Sequence, residues 1–260
     1  MNFRGSDEAV SEAVGFILLT FIITLSIAIV MMTGYQVFIG MINEAHMQNM
    51  EKGFYLMSNN ANKVVLFESP QQASELKMDG GVLSLKNDGY INISYWDNTG
   101  FDFDNRSIIA LEYEIGDEKV AYIMGGVCKK EGSYSVMLHE PLIYFNNVGA
   151  QNSTLFMSLI GYQNDFGAIA GTGIAHLTFT SPYYSKMLST IRYPETKNAS
   201  QVSKINITMK SDYNYCFSQY FKSLGFNPSM TPDGVLTMER GFNQPITLYI
   251  QKSLIAVTIS

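Results

Sequence analysis

The hydrophobic pattern divides the chain into distinct regimes. From Ala13 to Ile42, 30 residues carry no Asp, Glu, Lys or Arg. At about 1.5 Å per helical residue this run reaches roughly 45 Å, more than the ~30 Å apolar thickness of a bilayer. Its densest part, Val14 to Met32, is Ile, Leu, Phe, Val and Met, broken by Gly15, Thr20, Thr24, Ser26 and Ala28. A membrane-crossing helix is expected there, with its hydroxyls returned to backbone carbonyls or to a neighbouring helix. Past Gly34 the segment turns polar, while Val37, Met41, Ala45 and Met47 keep apolar residues at helical spacing. The helix is therefore expected to continue beyond the membrane and to end near Ser58 to Asn60, where Asn59, Asn60 and Asn62 cluster.

The remaining chain alternates with period two. Strands are expected at Val64–Glu68, Gly81–Lys86, Tyr90–Trp96, Ser107–Ile115, Lys119–Met124, Ser133–His139, Leu155–Gly161, Ile174–Ser181, Ser203–Met209, Val235–Met238, Pro245–Gln251 and Ile255–Ile259. "KMDGG" at Lys77 to Gly81, "KNDG" at Lys86 to Gly89 and "IGDEK" at Ile115 to Lys119 carry turn chemistry between them. One helix interrupts the strands: "SDYNYCFSQYFKSLGF" has Ser211 or Asp212 as N-cap, Gly225 as stop, and Phe217, Tyr220, Phe221 and Leu224 on one face. The expected fold class is α+β: a long N-terminal hydrophobic helix, then a mainly antiparallel, β-sandwich-like domain with one late helix. The aromatic stripe of that helix is expected to pack on the sheet.

Charge narrows the function classes. The net charge is -6, with no basic stripe to displace counterions, so nucleic acid is not expected as a partner. Charged residues make up only 15% of the chain, well below the roughly 25% usual in soluble domains, which fits a chain shared between lipid and water. A cleaved secretory signal is set aside, because the apolar run is too long and passes Met31-Met32-Thr33-Gly34 without an A-x-A-like site.

The start of the run carries a family resemblance. "EAVSEAVGFILL", Glu8 to Leu19, resembles the class III signal and N-terminal helix of archaeal type IV pilin-like proteins. In those proteins a prepilin peptidase cuts a short charged leader from the polar side and leaves the apolar helix on the mature chain. The resemblance implies a cut between Ala9 and Val10, with Gly5/Ser6 as the weaker alternative. Bacterial type IV pilins carry a Glu at the fifth mature position; here that place is Val14, and the nearest acid is Glu12. Glu12 is thus a candidate for setting subunit register, against the plainer reading of an acid placed at headgroup level near a helix N-terminus. The order of "LEYEIGDEKVAYIMGGVCKKEGSYSVMLHEPLIYF" followed by the late helix is also similar to uncharacterised archaeal pilin-like proteins of about this length.

The resemblance implies a leader at 1–9, a transmembrane and stalk helix at 10–58, and a β-rich extracellular domain at 59–260. Membrane lipid, prepilin peptidase and pilin-like subunits or an assembly platform would be its partners. Basic residues near the run are too few to orient it by themselves. Sequons agree with an external domain: Asn92, Asn105, Asn152, Asn198 and Asn206 each begin N-x-S/T, and Asn92 and Asn206 are expected to face solvent because they alternate with apolar neighbours. Cys128 and Cys216, 88 positions apart, fit either one disulfide in an oxidising compartment or two buried thiols.

Catalytic signals are absent. His46, His139 and His176 show no metal-ligand spacing, and "GAIAGTGIAH" at Gly167 to His176 lacks the Lys-Ser/Thr of a phosphate loop, reading instead as a flexible loop or bulged strand. Ser158, Ser181 and Ser185 stand in no G-x-S-x-G elbow. No catalytic residue, cofactor or metal site is expected. The leading expectation is a membrane-anchored pilin-like subunit or minor component of a filament or secretion machine. A tethered binding or adhesion module that never polymerises is the alternative, and an ectoenzyme would need a polar pocket holding His139 or His176 with acids.

Overall fold

The computed structural model describes residues 5–147, 153–163, 167–182 and 195–260, with the side chains of 5–12, 36 and 195 outside that description. Two compact units are distinguished, Met1–His46 and Met47–Ser260. One helix, α1 (Gly5–Val65), contributes to both. No proline interrupts it, since the first in the chain is Pro70. Its end is set by Phe67, which adopts a left-handed conformation (φ 63°) while the Glu68 and Ser69 amides donate to the Lys63 carbonyl.

The helix therefore ends later than the Asn59–Asn62 cluster suggests, and the strand expected at Val64–Glu68 is its last turn and the following bend. The reason is tertiary. Asn62 is buried and does not serve a local turn: its amide donates to the Gly125 carbonyl (2.8 Å), and Tyr122 donates to its Oδ1 (2.9 Å). Val64 and Val65 are buried as well. The compact unit that holds the sheet runs from Met47 to Ser260.

Eleven strands make the head among the described residues: β1 (Gln71–Asp97), β2 (Gly100–Ile115), β3 (Glu118–Ile123), β4 (Gly126–Glu131), β5 (Tyr134–His139), β6 (Ile143–Asn146), β7 (Thr154–Tyr162), β8 (Ala168–Thr180), β9 (Glu195–Lys210), β10 (Asn227–Met230) and β11 (Leu236–Ile259). The late helix, α2, spans Asn214–Ser223. The strands form one hydrogen-bonded sheet in the order β5-β4-β3-β2-β1-β8-β11-β7-β6, with β9 pairing both β1 and β11, and β10 pairing β11. All pairs are antiparallel except β7 with β11. This is the expected α+β class, but its layers come from one bent sheet.

Long strands make that bend. "KMDGG" and "KNDG" do not close hairpins; both lie inside β1, where the register shifts at Asp79/Val82 and at Asn87/Gly89. A bulge bends a strand and increases its twist, so one strand can serve two layers. The first half of β1 pairs with β8, and the second half, Tyr90–Trp96, pairs with β9. Gly89 permits this crossing: its φ is 140°, and a Cβ there would lie 1.9 Å from the Lys210 carbonyl oxygen. The three strands expected between Val235 and Ile259 likewise merge into β11, with shifts between Gly241 and Leu248. "GAIAGTGIAH" forms much of β8, facing the bulge at Asp79/Val82.

Two cores result. On one face, Met47, Met50, Phe54, Met57, Ala61 and Val64 of α1 recur at three- and four-residue spacing and bury against Leu76, Leu83, Tyr113, Tyr122, Leu177 and Phe179. On the other, Ile91, Ile93, Ile108, Leu155, Met157, Ile205 and Ile207 pack with Phe217 and Phe221 of α2. Strand β3 serves both, Val120 and Tyr122 in the first core, Ala121 and Ile123 in the second. The expected stripe of α2 is buried at Phe217, Tyr220 and Phe221, with Leu224 partly buried. Its N-cap is Tyr213, two residues after Ser211, and Tyr213 N–H donates to Ser211 Oγ at 2.9 Å.

Candidate functional site

In the first unit, every described side chain from Ala13 through Met41 is exposed, including Phe16, Ile17, Phe21, Ile22, Ile29, Val30 and Met32. The serine and threonine hydroxyls inside this run are satisfied within the helix. Thr20, Thr24, Ser26 and Thr33 donate to the carbonyls of Phe16, Thr20, Ile22 and Ile29 at 2.7–2.9 Å. A helix that satisfies its own backbone and hydroxyl groups and presents apolar side chains all round suits lipid. By length and composition it is able to cross a membrane. Ala9, Val10 and Glu12 belong to its first turns, where side chains lie outside the described residues; Asn152 also lies outside them.

In the head, Cys128 of β4 and Cys216 of α2 are joined by a disulfide, with Cα atoms 6.4 Å apart. Met137 places its sulfur 3.8 and 3.6 Å from the two Sγ atoms. Ser135 Oγ accepts from the Cys216 amide at 2.8 Å, so helix α2 is held to β5 by a polar link and to β4 by the covalent one. Beside this corner lies an apolar cleft of about 460 Å³, walled by Tyr134, Val136, Met137, Tyr215 and Tyr220. Tyr134 and Tyr215 meet edge to face at 5.8 Å.

A second polar corner ties α2 to the central strands. Glu112 of β2 is buried at 2% exposure; its Oε1 meets Lys86 Nζ at 2.8 Å and Lys119 Nζ at 3.5 Å, and its Oε2 accepts from Tyr213 OH at 2.5 Å. Burial and the Glu112 carboxylate together push the Tyr213 phenol far up. Next to it, Asp88 accepts from the Ser211 hydroxyl and, at 3.2 Å, from the Asp212 amide. Burial outweighs those hydrogen bonds and raises the Asp88 carboxyl to about 6. A third corner joins Asp104 of β2 to Lys252 and, at 3.7 Å, to Lys197. Lys197 also bonds Asp102 at 2.6 Å, and that contact leads in lowering the Asp102 carboxyl to about 2.

Sequence reasoning missed these acids. In "IALEYEI" the parity of the alternation was the available signal: Ala110 and Glu112 share a face, and Ala110 is in the second core. Among the described residues, the histidines are not brought together with acids in a polar pocket. His139 lies edge-on to Tyr55 at 5.2 Å, and exposed His176 reaches exposed Glu75 at 3.4 Å. Among the described residues, no group of three or more metal-ligating side chains converges. Of the described sequons, Asn105 and Asn198 are exposed, whereas Asn92 and Asn206 are only half-exposed.

Fold and site together define a β-rich head joined to a helix long and apolar enough to span a bilayer. The chain belongs to a family of unknown function, DUF7289, whose model matches residues 8–258, helix and head together. No curated protein and no solved structure matches it.

Proposed function

We propose that this protein is a type IV pilin-like surface protein, anchored in the membrane by Ala13 to Ile42 with its head outside the cell. It serves as a subunit or minor component of a filament or secretion machine. The observation that carries this reading is α1 itself. One unbroken helix offers lipid-compatible side chains over its first part and builds a core of the head with its last part. Such a rod must be kept after processing, which requires a cut on its polar side, as the resemblance at Glu8 to Leu19 implies. The family match across both parts supports treating them as one working unit.

The test is the start of the mature protein. Mass spectrometry of material from the native membrane is expected to find Val10 first; a chain beginning at Met1 or Asn2 would overturn the reading. A tethered binding module that does not polymerise is the second reading, and the apolar cleft beside Tyr134 and Tyr215 favours it. Electron microscopy of sheared surface filaments, labelled with an antibody to the head, separates the two.

A further inference from the structure

We infer that Asn105 carries an N-linked glycan whose first sugars cover Phe103 on the outer face of the sheet, an inference that rests on the external placement of the head. Five sequons stand in the sequence; register sets this one apart from Asn92 and Asn206, and an aromatic neighbour sets it apart from Asn198. Residues Phe101, Phe103, Asn105 and Ser107 of β2 are all exposed, while Asp104 and Ile108 are buried. The neighbours of Asn105 hold it outward: Asp104 is tied to Lys252, and Arg106 packs against Gly161. The ladder between β2 and β3 begins only at Ala110, so among the described residues Asn105 has a paired strand on one side alone, β1.

Asn92 and Asn206 lack that freedom. Asn92 lies in β1 between Asn105 on one side and Thr208 on the other, and it is half-buried. Asn206 lies between Ser94 and Glu239, with its Oδ1 buried. Directly opposed residues have Cβ atoms only about 5 Å apart, which leaves no room for sugars on both Asn92 and Asn105.

The aromatic rings supply the second observation. Trp96 has neighbours on its ring, Phe101 at 5.3 Å and Lys204 Nζ at 5.4 Å. Phe103 is 49% exposed, on an edge segment, two residues from Asn105 on the same face. An exposed aromatic on an open strand edge is an association hazard. Residues two apart on a strand lie about 7 Å from each other, within reach of a sugar ring attached to the amide. The apolar C–H face of that sugar would remove the phenyl ring from water. Asn198, also exposed, has Thr196 and Ser200 at the corresponding places.

In the modification, Asn105 Nδ2 bonds to the anomeric carbon of a sugar supplied as a lipid-linked oligosaccharide phosphate. The C1–O bond to phosphate breaks, the phosphate leaves with the electron pair, and the amide proton passes to a base of the transferase. The experiment uses full-length protein from the native membrane and glycopeptide mass spectrometry with a protease that spares Arg106. Asn105 is expected to be occupied and Asn92 and Asn206 bare, with Ser107→Ala abolishing the modification. A bare Asn105 overturns the inference, as does sugar on Asn92 or Asn206 in its place. Protease applied to intact cells reports separately whether the head is outside, so a failed placement is told apart from a failed site. For the contact, Ser107→Ala should lower Tm by roughly 2–4 °C when Phe103 is present and leave it unchanged in Phe103→Ser. Equal shifts in both backgrounds would show that the sugar does not cover the ring.

Discussion

The two ends of α1 use the same residue types for opposite purposes. Between Ala13 and Met41 the described apolar side chains are exposed on all sides of the helix; from Met47 to Val65 they narrow to a stripe, and Met47, Phe54 and Ala61 are fully buried. The change coincides with the return of charge at Glu44, Glu51 and Lys52. An all-round apolar helix calls for an apolar surrounding, whereas a striped one calls for a partner surface. Helix α2 shows a third solution. At ten residues it is too short to be stable alone, and it is held by burial of Phe217 and Phe221, by the disulfide and by the Tyr213–Glu112 hydrogen bond.

The sharpest way to break this comparison is one substitution made at both ends. Phe54→Ala should destabilise the head by about 3–5 kcal/mol, because it opens a cavity in a closed core. Phe21→Ala should leave head unfolding unchanged within about 0.5 kcal/mol. Thermal denaturation of the two variants in detergent decides; a large loss from Phe21→Ala would mean that the early helix stabilises the head.

Removing the disulfide sharpens the contrast between α1 and α2. Cys128→Ala with Cys216→Ala should cost roughly 2–5 kcal/mol. Hydrogen exchange should rise first in α2 and β5, with α1 from Met47 onward still protected. Uniform loss of protection would show that the two cores unfold as one.

A smaller effect is expected from acid. The folded Asp88 carboxyl titrates at about 6, above its unfolded value near 3.9. The folded state therefore holds more proton between about pH 4 and 6, and the contribution of Asp88 to stability falls as pH rises through that window. Asp88→Asn should remove this slope and be relatively favourable above pH 6, by about 1–3 kcal/mol. Denaturant melts of both proteins from pH 4 to 8 read the difference; parallel curves would mean that Asp88 is solvated when folded.

Some positions were readable because their signal is local. The Ala13–Ile42 run, the aromatic stripe of α2 and strands such as Tyr134–His139 follow from periodicity within a few residues. The candidate site was less legible. Glu112 became a buried acid only because Lys86 and Lys119 flank it on neighbouring strands and Tyr213 arrives from α2. The five sequons look alike in sequence, yet pairing exposes Asn105 and encloses Asn92 directly across from it.

By itself the amino-acid order determined which stretch is long and apolar enough to cross a bilayer, the α+β class and the alternation that gives each strand a buried side. Only the tertiary structure decided where α1 stops, that "KMDGG" and "KNDG" bend a strand instead of reversing it, and which polar groups meet. The physical reason is range. Propensity and periodicity act among near neighbours, whereas a bulge, a buried carboxylate or a helix end is settled by groups that pairing brings from distant positions, as Gly125 and Tyr122 do for Asn62.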